Sequence, residues 1–201
     1  MKKYFLLLFS IGLLSFLFSC NKQSAQGSNT IICFGDSLTK GYGAKDGKGY
    51  PYYLQKMISY KVINLGVNGN TSADGLRRID DVLKYVNSSR PIVIVEFGAN
   101  DFFQQVPLAQ TKRNIEQIID KLTSAGAEVV VASAQDSELD DIYYLLKSVA
   151  ERKKVRFVDG ILNEIWHKRD LFSDSVHPNS EGYKLVAEKI YKKLQSFNYK
   201  L

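Results

Sequence analysis

Apolar residues fall along this chain in two rhythms. Runs at 30–34, 62–65, 92–97, 129–133 and 155–158 are apolar nearly throughout and rich in β-branched residues, the pattern of strands buried on both faces. Leu76, Ile79, Val82, Leu83 and Val86 recur instead at spacings of three and four, as do Ile115, Ile118, Ile119 and Leu122, and then Ile142, Leu145, Leu146 and Val149. Each set predicts a helix with one buried face. After Pro178 the same rhythm returns in Tyr183, Val186, Ala187, Ile190 and Leu194, which places Lys184, Lys189, Lys192 and Lys193 on the solvated side. Strands alternating with helices predict repeated β-α units, a mostly parallel five-stranded sheet and a three-layer α/β/α sandwich. There is no internal repeat and no low-complexity stretch.

The amino-terminal 29 residues follow neither rhythm. Lys2 and Lys3 precede an apolar run at 4–18, a basic region followed by a core shorter than the roughly 20 residues that span a bilayer. Residues 1–19 read as an export signal that is cleaved. The run ends Leu17-Phe18-Ser19-Cys20, which resembles the lipobox of bacterial lipoproteins. That resemblance implies that Cys20 becomes a lipidated amino terminus. Acyl chains at about 0.8 kcal/mol per buried methylene would then hold the protein on a membrane. Residues 20–29 read as a lipidated cysteine and flexible tether, and 30–201 as the single domain. The expected location is the bacterial cell envelope, facing the periplasm or the outside.

Charge and composition narrow the chemistry. The chain has 27 basic and 21 acidic side chains, a formal +6; with Lys2 and Lys3 removed, 25 bases face 21 acids and the charge is +4. No dense basic run with interleaved aromatics is present, which argues against a nucleic-acid partner. Two cysteines, Cys20 and Cys33, make no disulfide framework and stand at no zinc-like spacing. Cys33 reads as a small core residue. Two histidines, His167 and His177, are the candidates for imidazole chemistry, and His167, beside Trp166 and Lys168, fits no motif and reads as a surface side chain.

In open parallel sheets, ligands bind at the carboxyl ends of the strands. Gly35-Asp36-Ser37-Leu38 follows the first strand, Gly66-Val67-Asn68-Gly69-Asn70 the second and Gly98-Ala99-Asn100-Asp101 the third, so all three converge on one crevice. Near the carboxyl terminus, Asp174-Ser175-Val176-His177-Pro178 sets a carboxylate three residues before an imidazole. On one turn the carboxylate can accept from Nδ1–H and leave Nε2 free, so a serine, a histidine and an aspartate with these freedoms can form nucleophile, general base and orienting group. Gly35, Gly66 and Gly98 read as strand-end turns, and Asp36 and Asp101 as turn-stabilising groups behind the site. Residues 41–46 lack the third glycine of a dinucleotide loop, and 47–49 lack the leading glycine and the Ser/Thr of a phosphate loop. Ser37 has no G-x-S-x-G context.

Together these blocks resemble the GDSL-type, or SGNH, serine hydrolases, in the branch of lysophospholipase L1-like enzymes, arylesterases and thioesterases. Gly-Asp-Ser-Leu-Thr at 35–39 matches the first block of that family, the glycine of 67–72 the second, Gly98-Ala99-Asn100-Asp101 the third and 174–178 the last. The resemblance implies a flavodoxin-like sandwich, Ser37 as nucleophile, His177 as general base and Asp174 as its orienting carboxylate. It also implies an oxyanion hole made of the backbone N–H groups of Ser37 and Gly69 and the side-chain amide of Asn100. No metal and no organic cofactor is expected. The expected reaction is hydrolysis of carboxylic esters, of short-to-medium acyl chains or lysophospholipid-type substrates. Carbohydrate O-acetylesters are a further substrate class, and a non-catalytic envelope lipoprotein that binds a glycan or lipid is the competing reading. If it borders the crevice, a short acidic segment at 135–141 would disfavour anionic leaving groups such as acyl-CoA by like-charge repulsion.

Overall fold

The computed structural model describes residues 30–86, 90–134 and 140–201. The export segment, Cys20 and the tether lie outside the described residues, as do 87–89 and most of the acidic segment, 135–139. Five strands, β1 (Thr30–Gly35), β2 (Lys61–Gly66), β3 (Ile92–Glu96), β4 (Glu128–Ala132) and β5 (Arg156–Val158), form one sheet in the order β2-β1-β3-β4-β5, parallel throughout. Every residue of β3 is buried, as are residues 31–35 of β1, because helices cover both faces of the sheet.

Among the described residues there are eight α-helices: α1 (Ser37–Lys40), α2 (Tyr50–Met57), α3 (Ser72–Arg77), α4 (Asp80–Leu83), α5 (Ala99–Phe103), α6 (Leu108–Ser124), α7 (Asp140–Lys153) and α8 (Ser180–Ser196). α2 packs on α8 over one face of the sheet, while α3, α6 and α7 pack in sequence over the other. That split is what right-handed crossovers require when β2 lies on one side of β1 and β3 on the other. The chain leaves β1 toward β2 on one side and then crosses back to β3 on the other. The carboxyl ends of β1 and β3 therefore flank a topological switch point, where the connections diverge and leave a crevice.

Two sequence expectations are corrected here. The periodic stretch from Leu76 to Val86 is not one helix, because Arg78 caps α3 with φ −104° and ψ 24° and turns its guanidinium back under the sheet. Lys189 is not solvated. It is 9% exposed, and its Nζ donates to the Gly160 carbonyl at 2.6 Å. A lysine stem packs like a hydrophobe when its amine finds an oxygen. Cys33 is fully buried in β1 and His167 is exposed, as expected.

Candidate active site

Asp36 follows β1 and caps α1, its Oδ1 accepting from the Leu38 N–H at 2.9 Å. Ser37 is thus the first residue of a helix, and its Oγ donates to His177 Nε2 at 2.9 Å across 140 residues of chain. His177 belongs to the loop before α8, where Phe172 and Pro178 form an isolated antiparallel bridge. The Ser173 N–H and Oγ both donate to its carbonyl, at 2.9 and 3.1 Å. One tight turn fixes the neighbouring carboxylate: Asp174 Oδ1 accepts from the N–H groups of Val176 and His177 at 2.9 and 2.8 Å, and Oδ2 faces His177 Nδ1 at 2.8 Å.

Partial burial pushes the Asp174 carboxyl up, but those two N–H groups and the imidazole outweigh it and hold it below the usual carboxylate range. An ionised carboxylate only accepts, so Nδ1 carries the hydrogen and Nε2 is left as the acceptor for Ser37. The Tyr42 ring lies against the imidazole with centroids 4.6 Å apart, and the Tyr183 hydroxyl holds its backbone by donating to the Tyr42 carbonyl at 2.8 Å.

Asn100 is the second residue of α5, and its Nδ2 donates to Asp36 Oδ2 at 3.0 Å and to the Asn70 carbonyl at 3.1 Å. Gly69 precedes that carbonyl in a turn that needs φ +73°, a left-handed conformation open to glycine without a steric cost. The structure therefore gathers Ser37, His177 and Asn100 around one space, with Asp174 behind His177 and Gly69 joined through its neighbour. Asp101, beside Asn100, points away from this space. It is fully buried and accepts from the Ser72 N–H at 2.7 Å, from Ser72 Oγ, and from Thr111 Oγ1 at 3.0 Å.

Two supporting residues were not singled out from the sequence. Arg78 donates to Asn70 Oδ1 at 2.6 Å, to the Leu65 carbonyl at 2.9 Å and to the Gly35 carbonyl at 2.8 Å, so one guanidinium ties together the ends of β1 and β2. Glu96, 1% exposed at the end of β3, lies against the Asp36 carboxyl and accepts from Thr39 Oγ1 at 2.9 Å. A β-carbon on Gly35 would collide with Thr39 and Glu96, which explains the glycine. Burial pushes Asp36 up to about 6, against the opposing pull of the Leu38 N–H, Glu96, His177 and Asn100. Burial first and the Asp36 charge second raise Glu96 well above its ordinary range. The signal was present in the sequence: Glu96 is the one acid in the apolar run 92–97.

Ser37, Asn100 and His177 open onto a cavity of about 350 Å³, walled by Leu38, Ala99, Phe102, Phe103, Ala134, Leu162, Trp166 and Val176, with Arg169 and Ser175 also lining it. Apart from Arg169 and Ser175, the lining beyond the polar cluster is apolar, with the aromatic rings of Phe102, Phe103 and Trp166 among it.

A model of the GDSL-like lipase/acylhydrolase family matches residues 33–185, most of the chain and all four blocks. The chain belongs to that family. It is 27% identical over 190 residues to an arylesterase from Vibrio mimicus, covering 89% of this chain and 94% of the relative. It is 26% identical over 183 residues to the thioesterase 1/protease 1/lysophospholipase L1 of Escherichia coli strain K12, covering 85% and 86%. The crystal structure of the psychrotrophic esterase EstA from Pseudoalteromonas superposes with a TM-score of 0.75 at 24% identity, covering 85% of this chain and 99% of that one, and shows the same fold. The chain is thus an acylhydrolase of the GDSL-like family.

Proposed function

We propose that this GDSL-family hydrolase is a serine esterase in which Ser37 is the nucleophile, His177 the general base and Asp174 the group that orients the base. The observation that carries the reading is the continuous hydrogen-bonded relay from Ser37 Oγ through His177 to Asp174, opening onto an apolar cavity. Ser37 Oγ attacks the ester carbonyl as His177 Nε2 takes its proton, and the carbonyl electron pair moves onto oxygen. The oxyanion forms beside the backbone N–H of Ser37 and the Asn100 amide, with the Gly69 N–H as third donor; it draws an Asn100 hydrogen that the Asn70 carbonyl holds at rest. Collapse expels the alcohol, which receives the proton from His177. Water, deprotonated by the same nitrogen, then releases the acid and returns the proton to Ser37.

The cavity lies near the small end of the roughly 300–1,000 Å³ usual for ligand pockets, which suits short-to-medium acyl chains. Lysophospholipid-type esters are compatible where the chain is short enough. Hydrolysis of p-nitrophenyl esters from acetate to palmitate by the full chain in detergent, beside Ser37→Ala, tests the reading. The substitution is expected to lower kcat on the order of 10⁶-fold, as loss of the nucleophile does in a serine hydrolase. Equal rates from the two proteins would refute it and leave a binding lipoprotein. Residues 1–29 support export and anchoring through Cys20, so Cys20→Ala should move the protein from the membrane fraction to the soluble one. Retention of the variant in the membrane would count against the anchor.

A further inference from the structure

Two carboxyl groups touch beneath Ser37. Asp36 and Glu96 are each 1% exposed, and like charges in contact away from water do not both ionise, so the pair holds a proton. The contacts say where it resides. Asp36 accepts on both oxygens, from the Leu38 N–H at 2.9 Å and from Asn100 Nδ2 at 3.0 Å, which favours its charged form over that of Glu96. Glu96 accepts from Thr39 Oγ1 at 2.9 Å, and its carboxyl lies against that of Asp36.

We infer that Glu96 is a positioning residue, a neutral carboxylic acid whose O–H donates to Asp36 and thereby fixes the carboxylate that holds both the Ser37 helix and the Asn100 amide. The inference rests on the serine esterase reading and says how that site keeps its geometry. Asp36 joins the two halves of the machinery: one oxygen caps the turn that carries the nucleophile, and the other aims the oxyanion donor. An anionic Glu96 would push that carboxylate away. A misplacement of about 1 Å at such a donor is enough to lose on the order of 10² in rate.

The surroundings keep the proton on this pair. Tyr50 from α2 and Tyr183 from α8 face it as neutral phenols, both pushed up by burial, and Cys33 of β1, beside Tyr50, is likewise pushed up to about 12. The two cations that face Asp36 are the Arg78 guanidinium and, when protonated, His177, and they favour charge on Asp36. The proton is therefore directed to Glu96. Raising the pH removes it, and the oxyanion donor loses its alignment with Ser37.

The test compares kcat and KM against pH for the full native chain, Glu96→Gln and Glu96→Ala, together with the infrared carbonyl stretch of a buried carboxylic acid. Glutamine keeps a donor toward Asp36 and an acceptor toward Thr39 but has no proton to lose. Glu96→Gln is expected to retain most of kcat and to lose the native alkaline decline. Glu96→Ala is expected to lower kcat on the order of 10²-fold with KM little moved. The infrared band should be present in the native chain near neutral pH and absent from Glu96→Gln. A Gln variant as impaired as Ala, an unchanged alkaline limb, or no carboxylic acid band overturns the inference. The esterase reading survives each of these results; a native chain with no Ser37-dependent turnover overturns both.

Discussion

Asp36 and Glu96 bind protons more tightly in the folded chain than in the unfolded one, because burial penalises their charged forms and the Asp36 charge opposes that of Glu96. Their contribution to stability is therefore complete below the unfolded carboxyl values of about 4 and declines as pH rises through the folded ones. The decline runs to about 6 for Asp36 and further for Glu96. Asp174 acts in the opposite sense: its depressed value adds stability above about pH 4 that is lost on acidification. Calorimetric Tm values across this range should fall with rising pH in the native chain and fall less in Glu96→Gln, which has no proton to release. Superimposable curves would show that Glu96 does not carry the burial cost. Ser37, Asp174 and His177 were legible because their signals are local: a serine just past a strand, and a carboxylate three residues before an imidazole. The roles of Arg78 and Glu96 were not: the lone acid in run 92–97 marks a position, but what both residues bind is assembled from β1, β2 and β3, which meet only in the fold.

At the scale of elements, Asp101 is the joint between helices that each begin near the site. Its carboxylate gathers the Ser72 N–H at the start of α3 and the hydroxyls of Ser72 and Thr111, while Asn114 of α6 donates to Ser72 Oγ at 2.9 Å. Asp101→Ala would strand these buried donors, at about 1–3 kcal/mol for each left unsatisfied. A fall of at least about 2 kcal/mol in urea unfolding free energy is expected, with a smaller fall for Asp101→Asn, which keeps an acceptor. Equal losses from the two variants would mean that packing, not hydrogen bonding, makes the joint. The strands were read to within a residue at each end because burial on both faces makes their runs continuous. α2 leaves no such pattern, since only Tyr50, Pro51 and Leu54 of its eight residues are buried and its face is completed by α8, far along the chain. The break between α3 and α4 was hidden for a related reason: periodicity records which positions are buried, not whether an arginine between them has turned inward to cap a helix.

For the molecule as a whole, the strand order decides where the chemistry is. Because β1 lies between β2 and β3, the three strand-end segments converge, and the apolar cavity opens where Ser37 and Asn100 meet. The crevice was legible because three polar segments each follow a strand; the order was not, since right-handed β-α connections allow several orders. The cavity was not, because its walls come from α1, α5 and the loops after β4 and β5, whose relative placement no local pattern encodes. If the cavity receives the acyl chain, burying each added methylene contributes about 0.8 kcal/mol, close to a fourfold gain in kcat/KM. The gain should continue until the space is filled and then reverse, as longer chains must leave the cavity or displace its walls. Ala134 lines this space and is 8% exposed, so Ala134→Leu adds side-chain volume where the acyl chain would lie. The turning point of the p-nitrophenyl ester series should move to shorter chains in that variant, while acetate, which needs little of the cavity, is affected least. An unmoved turning point with a uniform loss across the series would place the acyl chain elsewhere and assign the cavity to the leaving group.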